Sequence, residues 1–213
     1  MRTGVLFDLD GTLLDTLEDL KDSVNYALSL HGCPPRTLEE VRRFVGNGAG
    51  VLIRLAAEDR EDWPDILADF RAHYGENCQR KTKPYRGIPA ALAAIGEKYP
   101  LAIVSNKPDA AVKRLCRAFF PGILALGEQP GCPRKPDPAM LSAAMAQLGV
   151  DGCVYVGDSE VDIATGKNAG VPVLSVLWGF RDRDALESGT HFCSSPSRMP
   201  EEIDRMTEEY YGK

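Results

Sequence analysis

Short apolar runs punctuate the chain, each closed by turn residues and followed by a segment of helical period. Residues 4–7 form the first, 101–104 the second, 123–126 the third, 153–156 the fourth and 171–176 the fifth, with 191–193 a short sixth. Continuous apolar runs, as opposed to alternating ones, belong to strands buried on both faces of a parallel sheet. The segments between them carry helical stripes: Ile88, Leu92, Ile95 and Tyr99; Val112, Leu115, Cys116 and Phe119; Leu141, Ala144, Met145 and Leu148. Asp137 is placed to cap the last of these, with Pro138 at its first helical position. This alternation predicts a Rossmann-like, doubly wound α/β core with right-handed crossovers.

One crossover is too long for a single helix. Residues 88–99 supply its helix, and residues 16–82 are left over. That stretch reads as all-helical: Leu17, Leu20, Val24, Ala27 and Leu28 make one stripe, Val51, Leu52, Leu55 and Ala56 a second, and Ile66, Leu67, Phe70 and Tyr74 a third. The predicted organisation is an α/β core of residues 1–15 and 83–213 with a helical cap, residues 16–82, inserted after the first strand. Hinges are expected near Leu14–Thr16 and Lys83–Gly87, where Pro84 and Gly87 punctuate the chain. The acidic tail from Glu201 to Glu209 reads as a solvated helix face.

Composition narrows the classes. The 213 residues suffice for one domain plus a smaller one, and a chain of this size buries roughly 70% of its unfolded surface. A net charge of −6, without a basic cluster, argues against a nucleic-acid binder. No apolar run approaches the length of a membrane helix, and Asp8 and Asp10 interrupt the first one too early for a signal peptide. Six scattered cysteines without a Cys-x-x-Cys pair fit a reducing cytoplasm, and the three histidines are equally dispersed. The oligomeric state is not readable.

Chemistry concentrates at the ends of the apolar runs. Asp8-Leu9-Asp10-Gly11-Thr12 follows the first, Ser105-Asn106 the second and Gly157-Asp158-Ser159 the fourth. In an open parallel sheet these positions share one edge, where ligands bind. Lys135, held extended before Pro136, can reach back to the same edge. A carboxylate that attacks, another that moves a proton and a cation that balances the charge are the equipment of phosphoryl transfer through an aspartyl phosphate. The bland reading of the first motif is a surface turn with two solvated aspartates. An EF-hand fails at Thr12, Leu13 and Asp19, and no Walker A loop is present. Gly46–Gly50 is not a dinucleotide fingerprint, because Val51 stands at its last glycine. It reads as a cap loop facing the substrate. Trp63 and Trp178 read as packing anchors.

The order Asp8-x-Asp10, Ser105, Lys135-Pro136, Gly157-Asp158-Ser159-x-x-Asp162 resembles the four motifs of the haloacid dehalogenase superfamily, from Val5 to about Gly179. The insertion resembles that family's C1-type cap. Val45-Gly46-Asn47-Gly48, Ser105-Asn106-Lys107-Pro108 and Ala169-Gly170-Val171 resemble its phosphoglycolate phosphatase branch. The resemblance implies Asp8 as nucleophile and Asp10 as general acid, then base. It implies Mg²⁺ held by the carboxylates of Asp8 and Asp158 and the carbonyl of Asp10, with Asp162 orienting waters or Lys135 from behind. Ser105 and Lys135 would bind the phosphoryl oxygens, helped by backbone N–H groups around Leu9–Gly11. Asn106 and Asn47 are further substrate-binding candidates, and Thr12 either contacts the site or stabilises the turn.

The implied activity is Mg²⁺-dependent hydrolysis of a small phosphomonoester, 2-phosphoglycolate being the best guess. A sugar phosphomutase of the β-phosphoglucomutase type is the first rival, disfavoured by Thr12-Leu13, and a pyrophosphatase or nucleotidase of the same superfamily stays open. A receiver-type phospho-acceptor module is disfavoured by the spaced aspartate pair and the insertion. A haloalkanoate dehalogenase has no need of Asp10.

Overall fold

A computed structural model describes residues 1–212. The elements in chain order are β1 (Thr3–Phe7), β2 (Leu14–Asp15), α1 (Leu17–Leu30), α2 (Leu38–Phe44), α3 (Ala49–Ala56), α4 (Trp63–Asn77), β3 (Lys83–Pro84), α5 (Ile88–Gly96), β4 (Leu101–Pro108), α6 (Asp109–Phe119), β5 (Leu124–Glu128), α7 (Ala139–Leu148), β6 (Gly152–Gly157), α8 (Glu160–Ala169), β7 (Val173–Val176), β8 (His191–Cys193) and α9 (Met199–Tyr211). Six strands form one sheet in the order β5-β4-β1-β6-β7-β8, and every pairing in it is parallel. The chain leaves β1 for β4 and β5 on one side, then returns to β6 on the other. The strand order therefore reverses beside β1, the place where an open sheet binds its ligand.

The apolar runs are continuous because both faces are covered. Val5, Phe7, Ile103, Val154 and Val156 belong to one buried cluster. Leu6, Ala102, Val104, Cys153 and Tyr155 belong to the other, on the opposite face. Helix α9 buries Met199, Ile203 and Met206 and leaves Glu201, Glu208 and Glu209 exposed, while Glu202 is half-buried against Arg198 and Arg205.

Helices α1 to α4 occupy the insertion, with α4 packed on α1 and α3. Where the chain enters and leaves them, β2 pairs antiparallel with β3. The carboxylate of Asp19 accepts from the backbone N–H of Lys81 and Thr82 at 3.0 and 2.9 Å, tying the start of α1 to the returning strand.

Several sequence boundaries shift. The third run begins pairing at Leu124 and the fifth at Val173. Tyr99 lies beyond α5, which ends at Gly96. Helix α7 starts at Ala139, so Pro138 is its cap, while Asp137 still accepts from the Ala139 N–H at 2.9 Å. In α3 the buried stripe is Ala49, Leu52, Ile53 and Ala56. Leu55 is exposed, because the packed face is rotated by one residue from the expected one. Helix α2, opened by a Thr37–Glu40 capping box, was not anticipated: its single buried residue, Val41, leaves no stripe to read.

Candidate active site

The loop after β1, the end of β4, the segment before α7 and the end of β6 converge on one edge of the sheet. Gly11 makes the first loop possible. Its φ of +84° favours glycine, and a Cβ there would collide with the Asp158 carboxylate. A Cβ at Gly179 would collide with Asp158 from the other side. Asp158 is thereby clasped between two backbone segments, with Thr12 Oγ1 donating to Oδ1 at 3.2 Å and Phe180 N–H to Oδ2 at 2.7 Å.

Lys135 is the hub. Its Nζ donates to Asp8 Oδ1 at 2.7 Å, to Asp162 Oδ1 at 2.8 Å and to the Tyr155 hydroxyl at 2.8 Å. The Tyr155 hydroxyl donates in turn to Asp162 Oδ1 at 2.7 Å. Asp162 Oδ2 accepts from the Ser159 hydroxyl and N–H, closing the capping box of α8. Both oxygens of Asp162 are thus engaged, which suits it to aiming Lys135. Asn106 holds the backbone of Lys135: its Oδ1 accepts from the Lys135 N–H at 2.8 Å and its Nδ2 donates to the Lys135 carbonyl at 3.0 Å.

This charge is far from balanced. Burial, followed by Asp162 and Asp10, raises Asp8 to about 7 despite the opposing ammonium of Lys135. Asp158 is pushed well above the usual carboxylate range by burial, then by Asp8 and Asp162. For Lys135, burial pulls downward, but Asp162 and Asp8 together hold it above its ordinary value. Asp162 goes down, because Lys135, Ser159 and Tyr155 outweigh its burial. Three carboxylates face one ammonium, with oxygens of Asp8, Asp158 and Asp162 within 4.8 Å of one another. A hard cation with oxygen ligands fits that donor set, with Asp8 and Asp158 as its carboxylates.

A cavity of about 50 Å³ lies over the cluster. Asp8, Ser105, Lys107, Lys135 and Asp158 form its sheet side, and Leu20, Val45, Ala49, Leu52 and Phe70 its helical side. The loop before α3 is pinned to the core. Asn106 Nδ2 donates to the Gly46 carbonyl at 3.1 Å, Arg134 to that of Asn47 at 3.2 Å, and Arg181 to those of Arg42 and Val45 at 2.9 and 2.6 Å.

A family model described as haloacid dehalogenase-like hydrolase matches residues 5–176. The chain belongs to that family. It is 40% identical to a phosphoglycolate phosphatase of Cereibacter sphaeroides, over 84% of this chain and 86% of that one. It is 34% identical to an N-acetylmuramic acid 6-phosphate phosphatase of Pseudomonas aeruginosa, over 95% of each. A solved structure of a predicted phosphoglycolate phosphatase from Haemophilus somnus superposes with a TM-score of 0.85, at 29% identity, covering 94% of this chain and 97% of that one.

In this hydrolase, the structure gathers Asp8, Asp10, Ser105, Lys135, Asp158 and Asp162 at one site, with Leu9 buried beneath them. Other expected contacts divide. The Gly11 N–H donates to the Leu14 carbonyl at 2.9 Å, so the turn takes it. Thr12 contacts the site through Asp158 without lining the cavity. Asn106 lines the cavity, with its amide committed to backbone groups. Asn47 is exposed, while its neighbours Gly46 and Gly48 line the cavity.

Sequence reading missed Thr16, whose hydroxyl donates to Asp10 Oδ1 at 2.6 Å, and Lys107, whose Nζ lies 2.7 and 2.8 Å from the Asp10 oxygens. It missed Tyr155 and Arg181 as well. Lys107 carried a usable signal: it follows Ser105 by two residues, so both share a face of β4.

Proposed function

We propose that this hydrolase removes phosphate from a small phosphomonoester, with 2-phosphoglycolate the leading substrate, through a covalent phosphate on Asp8. The observation that carries the reading is Lys135 fixed between Asp8 and Asp162, next to a second, clasped carboxylate, Asp158.

Asp8 attacks phosphorus in line while Lys135 and Ser105 take up charge on the phosphoryl oxygens. Asp10, held by Thr16 and Lys107, protonates the leaving oxygen and later accepts a proton from the attacking water. Asp8, Asp158 and the Asp10 carbonyl would hold Mg²⁺, which would offset negative charge on the carboxylates and the transferring phosphoryl group. Asp162 and Tyr155 keep Lys135 aimed at Asp8.

The inserted helices 16–82 serve as a lid whose apolar wall excludes water and selects the leaving group. The small cavity favours a substrate of a few heavy atoms beyond the phosphate. The match to phosphoglycolate phosphatases over most of the chain supports the same choice.

The test is phosphate release from a panel of 2-phosphoglycolate, hexose phosphates, N-acetylmuramic acid 6-phosphate, pyrophosphate and mononucleotides. The expected result is a kcat/KM for 2-phosphoglycolate at least about tenfold above the others, some 1.4 kcal/mol in transition-state binding. A larger ester turned over best would refute the small-substrate reading. Conversion of β-glucose 1-phosphate to glucose 6-phosphate without free phosphate would establish a mutase instead.

A further inference from the structure

Lys107 stands outside the four motifs, yet it is one of the most tightly held side chains in the molecule. Its side chain is 3% exposed. Its Nζ lies against both oxygens of Asp10 and 4.7 Å above the ring centroid of Tyr74. Lys107 comes from β4, Asp10 from the loop after β1 and Tyr74 from α4 of the insertion. Tyr74 is itself buried, stacked on Phe70 at a centroid distance of 5.4 Å. The ammonium is thus sandwiched between a core carboxylate and an aromatic face supplied by the lid.

We propose that Lys107, seated by Tyr74, is a positioning residue for Asp10 and acts mainly in hydrolysis of the phosphoenzyme. This rests on Asp10 being the acid–base group of the function proposed above. In the first half-reaction the Asp8–phosphorus bond forms, the bond to the ester oxygen breaks, and Asp10 gives that oxygen its proton. Asp10 is left as a carboxylate. In the second, water oxygen bonds to phosphorus, the Asp8–phosphorus bond breaks, and Asp10 takes a proton from the water.

Between the two steps the carboxylate must stay pointed at the incoming water. An ammonium against both its oxygens, itself seated on the Tyr74 ring, fixes that orientation. Because the aromatic seat belongs to the lid, this aim is complete only with the lid in place, which protects the phosphoenzyme step from an open site.

The experiment is steady-state and burst kinetics with p-nitrophenyl phosphate, whose leaving group needs no proton. In Lys107→Met, kcat should fall by about tenfold or more while kcat/KM stays within about threefold, since only the later step is slowed. A burst of p-nitrophenolate should precede the steady state. Tyr74→Leu should show the same split with a smaller loss, and Tyr74→Phe, which keeps the ring, a smaller loss still. The two Tyr74 variants decide the matter if Lys107→Met does not fold.

Equal falls in kcat and kcat/KM without a burst would assign Lys107 to substrate binding and overturn the proposal. Asp10→Asn, run alongside, separates the two levels of inference. A burst there without one in Lys107→Met removes only the role of Lys107. No burst in either removes the acid–base role of Asp10, and the proposal with it.

Discussion

On the sheet side of the cavity, Asp8, Lys135 and Asp158, with Asp162 behind them, are fixed by hydrogen bonds whose partners are all buried; Asp8 and Asp158 follow strands β1 and β6, Lys135 precedes α7 and Asp162 lies in the first turn of α8. On the helical side, Leu20, Val45, Leu52 and Phe70 present hydrocarbon and come from helices and loops that the sheet does not align. Directional, high-stakes contacts tolerate little change. Apolar contacts tolerate substitutions that keep volume. Under the proposed function, the first wall would set the reaction and the second the choice of substrate. Changes on the sheet side should abolish chemistry, and changes on the helical side should reorder substrates.

The comparison is tested hardest at Asp8. Asp8→Asn keeps shape and loses the nucleophile, so phosphate release should fall about a thousandfold or more for every ester alike. A variant that loses activity toward one ester alone would place Asp8 among the selecting residues. Next comes Asp158→Ala, which should raise the Mg²⁺ concentration needed for half-maximal rate by about tenfold or more, measured by Mg²⁺ titration of initial rates. An unchanged titration would remove Asp158 from the metal site.

Tyr155→Phe leaves Lys135 and Asp162 each short of one buried partner. It should cost about 1–3 kcal/mol of stability, read from urea denaturation. A smaller effect on the other wall would sharpen the contrast. Leu52→Val removes one methylene and should shift the kcat/KM ratio between 2-phosphoglycolate and an ester one carbon longer by about tenfold, leaving p-nitrophenyl phosphate hydrolysis within a factor of a few. The smallest effect belongs to Asn47→Ala. Its side chain is exposed and its carbonyl, which Arg134 holds, is unaffected, so the substrate ranking should move by less than the change at Leu52 moves it.

The same division explains what the sequence could and could not disclose. That Asp8, Ser105 and Asp158 meet at one edge was legible because each directly follows an apolar run, and parallel strands bring those ends together; Lys135, in the loop before α7, was placed there through Pro136. The run of helices between β2 and β3 was legible from the length of the crossover and its helical stripes. Tyr155 was hidden inside a strand, where its hydroxyl looked like one more buried aromatic. Arg181 acts across a distance along the chain that no local pattern encodes, and Thr16, though close to Asp10 in the chain, reaches it only through the turn that β2 closes. Asn47 misled because a glycine-rich loop faces the cavity with its glycines and turns the intervening side chain outward. The rotated stripe of α3 failed for a related reason: which face of a short helix is buried depends on its neighbours α2 and α4.

The most direct test of a covalent phosphate on Asp8 is mass spectrometry of enzyme quenched during turnover. The Asp10→Asn variant with p-nitrophenyl phosphate is the best case, because the first step needs no acid and the second lacks its base. One phosphate per chain, on the peptide that contains Asp8, is the expected result. Turnover with no phosphate on that peptide, at any quench time, would contradict the account.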